Sequence, residues 1–266
     1  TIGGADVVTT TSPAVAHVVK RHFPRTQVRA SVNMRLGTVQ AMSQLADLFD
    51  SYYIQRDVQR DLAHVRRLKR WADANGKQLC LLANSGCLRY CAAQSFHDNL
   101  IAHADEVRQA EPIDGFEPLA CRRVLGQRGQ WEALLQASWV RPEDLHHYTD
   151  LVDVVKLATR THDSPRLVLD AYANARFHGN VVDLLEPGYG PLLAPRAIDN
   201  DRFPDDWFDR TSTCGALCET CDYCRSVLQQ ALVDFSGLSD DDPLAPVAPK
   251  ASGDSAMHLP VLPCPE

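Results

Sequence analysis

Seven of the nine cysteines stand where their thiolates could hold a metal. Cys87 and Cys91 follow the apolar run Leu81-Leu82-Ala83 and the turn residues Asn84-Ser85-Gly86, so a strand end delivers two thiols separated by three residues. Cys121 lies downstream, and Cys214-x3-Cys218-x2-Cys221-x2-Cys224 forms a dense second group. Thiolates bind zinc or iron-sulfur clusters, and spacing alone leaves both open. Cys218 with Cys221, or Cys221 with Cys224, could join Cys87 and Cys91 as paired zinc ligands, while the dense group suits a 4Fe-4S cluster equally well. An odd number of cysteines without a secretory signal reads poorly as a disulfide framework. Cys80, inside the apolar run, reads as a buried structural thiol, and Cys264 falls in a Pro-rich tail.

Other side chains near these thiols could act on a substrate. His97 and Asp98, with Asn99 and His103 after them, could position a ligand or move a proton; the alternative is that they cap a helix start. Lys156 and Arg160 are four residues apart, a spacing that on one strand points both to the same side. If so placed, they would line a barrel lumen or rim and attract an anion, and Arg160 would require a bound anion, Asp163 or Asp98 as its partner. No Gly-x-Ser-x-Gly elbow, phosphate loop or His-Glu-x-x-His motif is present.

These residues need elements to position them. Strands are expected at residues 5–10, 27–32, 50–55, 78–83 and 151–157, and helices at 14–22, 36–48, 56–74, 164–177 and 226–235. The β, α alternation with short connections implies parallel strands covered by helices. Five strands are too few for a closed eight-stranded barrel, so the expected fold is α/β, a partial TIM-like (β/α) barrel with a Cys-rich C-terminal segment. In a barrel, sites lie at the C-terminal strand ends, which puts the Cys87 and Arg160 regions on one rim. The expected organisation is β/α repeats over 1–104, an excursion containing Cys121 over 105–150, a strand, irregular segment and cysteine group over 151–236, and a flexible tail over 237–266.

Composition narrows the classes. Of the 266 residues 45% are hydrophobic and 23% charged, an ordinary globular balance, and the formal charge of −7 argues against a broad nucleic-acid surface. Arg66-Arg67-Leu68-Lys69-Arg70 reads as the solvated face of a helix. No run approaches the ~20 apolar residues of a membrane span, so the expected location is the cytoplasm. The chain opens at Thr1 almost directly on a strand, which suggests that an N-terminal part of the domain is missing.

Asn84-Ser85-Gly86-Cys87-Leu88-Arg89-Tyr90-Cys91, Phe96-His97-Asp98-Asn99, the stretch from Arg141-Pro142-Glu143-Asp144-Leu145 to Tyr148, and Val155-Lys156-Leu157-Ala158-Thr159-Arg160 together resemble the peptidase U32 family. The resemblance implies a TIM-barrel-like fold whose first strand or two are absent from this chain. Members were first labelled collagenase-like proteases, and several are 4Fe-4S proteins of oxygen-independent hydroxylation, in ubiquinone synthesis or on RNA bases. It further implies Cys87, Cys91 and Cys121 as cluster ligands, with Cys218 or one of Cys214, Cys221 and Cys224 as the fourth. His97, Asp98, Lys156 and Arg160 are then the expected catalytic residues. A small anionic substrate or an RNA base, and a hetero-oligomeric partner of the same family, are the expected partners. The Glu-x-Phe-x-His-Gly-Ala signature of the peptidase-labelled members is missing, and the cysteines exceed one site's need, so 4Fe-4S plus zinc is a further possibility. The alternatives from other classes are a U32-type peptidase and a zinc-stabilised, non-catalytic barrel that serves as an assembly partner.

Overall fold

The computed structural model describes residues 4–103, 119–160 and 162–237. Five short strands, β1 (Val7–Thr10), β2 (Gln27–Ala30), β3 (Ser51–Tyr53), β4 (Gln78–Leu82) and β5 (Val154–Lys156), form one sheet in the order β1-β2-β3-β4-β5, every pair parallel. The sheet curls into a half barrel. A strictly sequential order has no point at which winding reverses, so it is the order of a barrel wall rather than of a doubly wound sheet. All five C-terminal strand ends therefore share one rim.

Helices close one face. α1 (Pro13–His22) starts at Ser12, whose hydroxyl accepts from the Val15 N–H, and has Pro in its first turn. α2 (Val39–Ser43) is a single short piece, and α3 (Leu62–Ala74) is capped by Asp61. Their apolar stripes bury Ala16, Val19, Met42, Val65, Leu68 and Ala72 against Val28, Ala30, Tyr52 and Leu79 of the sheet. Arg66, Arg67 and Arg70 of α3 stay exposed, as the charge run predicts. Alternation along β3 and β4 sends Tyr53, Cys80 and Leu82 to the opposite face, where Cys80 is fully buried. That burial pushes its thiol up to about 11 and leaves it protonated and inert.

The sequence misplaces several boundaries. The helix expected over 56–74 begins only at Leu62, because Arg56–Val58 form a separate 3-10 turn and Asp61 supplies the stronger cap. The helix expected over 36–48 shrinks to α2, and the strand expected over 151–157 to β5. The expected irregular segment between the strand and the cysteine group holds α8 (Gly190–Leu193) and β6 (Arg196–Ile198), after α5 (Ala120–Leu125), α6 (Glu132–Gln136) and α7 (Pro165–Ala173). α9 (Trp207–Ser212) follows, and α10 (Tyr223–Ala231) starts three residues before the expected helix and hands over to β7 (Leu232–Asp234), which pairs antiparallel with β6. Residues 105–118 of the expected excursion, Cys264 and the expected tail from Leu238 onward lie outside the described residues. Among those residues, no helix is long and apolar enough to cross a membrane.

Candidate metal centre

The first thiol group is anchored by Asn84. This side chain is fully buried at the end of β4; its amide donates to the carbonyls of Ala158 (2.7 Å) and Leu184 (2.9 Å) and accepts from the Ala158 N–H (2.7 Å). It thereby ties the ends of β4 and β5 to the segment that carries Tyr189. A Cβ at Gly86 would collide with the Pro187 carbonyl, so only glycine lets the two segments approach here. The Tyr189 hydroxyl donates to the Gly86 carbonyl at 2.9 Å.

Beyond Gly86 the chain turns sharply at Tyr90, which holds a left-handed φ of +54°. Asp57 fixes that strained backbone: its buried carboxylate accepts from the Tyr90 N–H at 2.7 Å, and its carbonyl accepts from Arg89 Nε at 2.8 Å. Arg56, just before it, donates from Nη1 to Cys87 Sγ at 3.4 Å. Cys87, Cys91 and Cys121 are half-buried free thiols. Burial raises the Cys121 pKa; the Tyr189 hydrogen bond opposes that rise, and the nearby Cys87 and Cys91 add to it, so the three thiols and Tyr189 form one neighbourhood.

The second group sits where α9 gives way to α10. Cys214, Cys218 and Cys221 are exposed, and half-buried Cys224 in the first turn of α10 packs on the core of Trp139, Trp207 and Leu228. Burial pushes Cys224 up to about 11 and raises Cys218, with Arg89 acting against the latter. Arg89 joins the groups: its Nη1 reaches Cys214 Sγ at 3.9 Å.

Arg60 lies beneath the second group. It is 4% exposed and donates from Nε to the Trp139 carbonyl (2.8 Å) and from Nη1 to the Leu135 carbonyl (2.9 Å). Its guanidinium carbon is 5.1 Å from the ring centroids of both Trp139 and Trp207. Nη2 has no hydrogen-bond partner, and no carboxylate stands within ion-pair distance among the described residues. Burial lowers this guanidinium to about 10, still cationic at neutral pH.

The donor chemistry fits a thiolate-bound metal: seven unpaired thiols in two neighbouring groups, faced by Arg56, Arg89 and Arg60. Cations beside thiols favour the thiolate, the form that binds metal, and binding displaces the thiol protons. Among the described residues, no three His, Cys, Asp or Glu side chains already stand together at coordinating distance.

The remaining sequence candidates fall elsewhere. His97 and Asp98 lie in the body of α4 (Gln94–Ala102), not at its cap, which is Ala93. Asp98 pairs with Arg35 at 3.1 Å rather than with Arg160. Lys156 is the last residue of β5 and Arg160 lies beyond it in a turn, so the shared strand face does not form, and Arg160 is exposed rather than buried. Lys156 Nζ instead stands 5.6 Å from the Tyr53 ring centroid. Sequence reasoning missed Asp57, Arg56, Arg60 and Tyr189. Only Arg89, inside the cysteine motif, carried a local signal.

The chain is 28% identical over 163 residues to an uncharacterized protease of Methanocaldococcus jannaschii, a match that covers 58% of this chain and 46% of that protein. It thus spans about half the length of this curated relative. No family model matches the chain, and no solved structure matches it.

Proposed function

We propose that this chain is a U32-type iron-sulfur protein, an enzyme or enzyme subunit of oxygen-independent hydroxylation. The observation that supports this reading is that Arg89, inside the Cys87–Cys91 turn at the end of β4, reaches Cys214 Sγ at 3.9 Å and so links the two free-thiol groups. Cys87, Cys91 and Cys121 would supply three ligands and Cys218, or Cys214, Cys221 or Cys224, the fourth. A bound 4Fe-4S cluster would supply one-electron transfer. The protein's own part is to present thiolates, to compensate their charge with arginines, and to hold the turn rigid through Asn84 and Asp57. Exposed Lys156 and Arg160 would draw a small anionic substrate or an RNA base toward the rim, with His97 on α4 as the proton carrier. A partner of the same family would complete the barrel wall, whose five strands leave two edges.

The protease name of the relative supports a second reading, a U32-type peptidase. Against it, among the described residues no Ser or Cys side chain shares a hydrogen bond with a histidine ring, so no nucleophile and base pair is assembled.

The deciding experiment is iron, zinc and acid-labile sulfide analysis of protein purified without oxygen. About four iron and four sulfide per chain, with broad absorption near ~400 nm, is the expected outcome. About one zinc and no sulfide would replace it with the zinc-stabilised assembly role. Peptide cleavage that persists after Cys87→Ser would restore the peptidase.

A further inference from the structure

The 3-10 segment Pro142–Tyr148 and the segment 200–209 line a pocket of about 620 Å³, a size that takes a small organic ligand. Its apolar wall comes from Phe203, Trp207 and Phe208, and the His147 ring stacks on Phe208 with centroids 3.9 Å apart. Burial lowers the His147 pKa, so this ring is neutral at pH 7 and repels no cation. Five carboxylates line the pocket against two guanidiniums. Part of that charge is already matched. Glu143 Oε1 accepts from the Phe177 N–H (2.7 Å) and from Asn200 Nδ2 (2.9 Å), and its Oε2 stands 3.5 Å from Arg141 Nε. Asp201 pairs with His178 at 2.8 Å.

Asp144 is different. It is 9% exposed and lines the pocket, and among the described residues its carboxylate accepts no hydrogen bond and makes no ion pair. Its charge is answered at a distance, because Arg141 and Arg60 both pull its carboxyl down against the burial that raises it. Neither guanidinium reaches it: Arg141 is held by Asn200 and Glu143, and Arg60 by the Trp139 and Leu135 carbonyls. They supply a field but no N–H. What Asp144 lacks is a hydrogen-bond donor, and burying a carboxylate without one costs the fold stability. The pocket is the side from which a donor can arrive.

We propose that this pocket binds a linear alkyl diamine or polyamine, with one ammonium donating to Asp144 and the other facing Asp205 and Asp209. An ammonium brings several N–H donors and a positive charge to the one buried carboxylate that has no donor. Asp205 and Asp209 are exposed, line the same pocket and make no ion pair among the described residues, so they suit the second ammonium. The methylenes between the two ends match the Phe203 and Phe208 wall. A bare metal ion fits less well, since no three His, Cys, Asp or Glu side chains stand together at coordinating distance among the described residues. Amine binding here needs neither thiolate nor iron, and stands or falls apart from the iron-sulfur reading.

Calorimetric titration of wild-type protein, Asp144→Asn and Asp209→Asn with 1,4-diaminobutane, spermidine and 1-aminobutane tests this. The expected result is saturable binding of 1,4-diaminobutane or spermidine to wild type and a loss of about tenfold or more in Asp144→Asn, which keeps the shape and removes the charge. Asp209→Asn should lose less, because an exposed charge is screened, and 1-aminobutane, with one ammonium, should bind more weakly than the diamine. Absence of saturable binding to wild type, or the same affinity in Asp144→Asn, would overturn the proposal. Equal binding of 1-aminobutane would overturn the two-ended arrangement, and tighter binding of Nα-acetyl-lysine methylamide would give the pocket to a lysine side chain of another protein instead of a free amine. Should Asp144→Asn fail to fold, nuclear Overhauser contacts in wild-type protein decide: contacts from the diamine methylenes to the Phe203 or Phe208 ring support the site, and contacts only to other residues overturn it.

Discussion

The two thiol groups are built on opposite plans. Cys87 and Cys91 hang from a strand end whose every turn is fixed by a side chain from a distant part of the chain: Asn84 to Ala158 and Leu184, Tyr189 to Gly86, Asp57 to Tyr90. Cys214, Cys218 and Cys221 sit exposed on a loop, and only Cys224 is tied to a core. The first group owes its position to buried hydrogen bonds, the second to an aromatic layer under one of its members. A centre drawing ligands from both would be seated by the rigid group and closed by the loop.

The largest effect that could break this contrast comes from Asn84→Ala. The substitution strands the Ala158 N–H and carbonyl, both partly buried, and the buried Leu184 carbonyl, and each orphaned buried group costs about 1–3 kcal/mol. A loss of about 3–5 kcal/mol in urea unfolding is expected, together with faster alkylation of Cys87 and Cys91 but not of Cys221. A loss under about 1 kcal/mol would mean that the turn is held by the backbone alone.

Asp144 probes the ground beneath the second group. Its carboxyl is buried, which pushes its pKa up to about 6; Arg141 and Arg60 pull the other way, yet it accepts no hydrogen bond among the described residues. The folded pKa lies above the unfolded value of about 3.9, so between about pH 4 and 6 the native state binds more protons than the unfolded one. Stability therefore falls as pH rises through that window. Asp144→Asn removes the slope and should leave the variant more stable than wild type at pH 7 by roughly 2 kcal/mol. Thermal unfolding at pH 4 and pH 7 measures both, and parallel pH curves for the two proteins would show that the carboxylate is solvated.

How much of this was legible follows the same divide. The first four strands, α1 and the cysteine spacing could be read because they rest on local signals: β-branched runs, a Ser-Pro helix start, a turn after an apolar run. Asp57 and Arg60 could not. Both lie in a polar run that reads as a solvated helix, and what makes them structural is the arrival of Tyr90, Trp139 and Trp207 from far along the chain. β6 and β7 stayed hidden because three residues each carry too little periodicity, β6 beside Pro191 and Pro195 and β7 inside the helix expected over 226–235. Lys156 and Arg160 misled in the opposite way, since a strand pattern was extended past the point where β5 ends.

Arg89 offers the smallest and sharpest probe, because among the described residues its guanidinium hydrogen-bonds to both plans. Its Nε bond to the Asp57 carbonyl belongs to the rigid turn, and its Nη1 contact with Cys214 belongs to the loop. Half-buried and bonded to a single carbonyl, it contributes about 1 kcal/mol, so Arg89→Ala should lower stability only by that amount. Its local consequence is more telling. Without the guanidinium, Cys218 loses the cation that pulls against its raised pKa, so its alkylation at neutral pH should slow while that of Cys221 stays the same. Equal rates at Cys218 in both proteins would mean that the two groups meet in space without acting on one another.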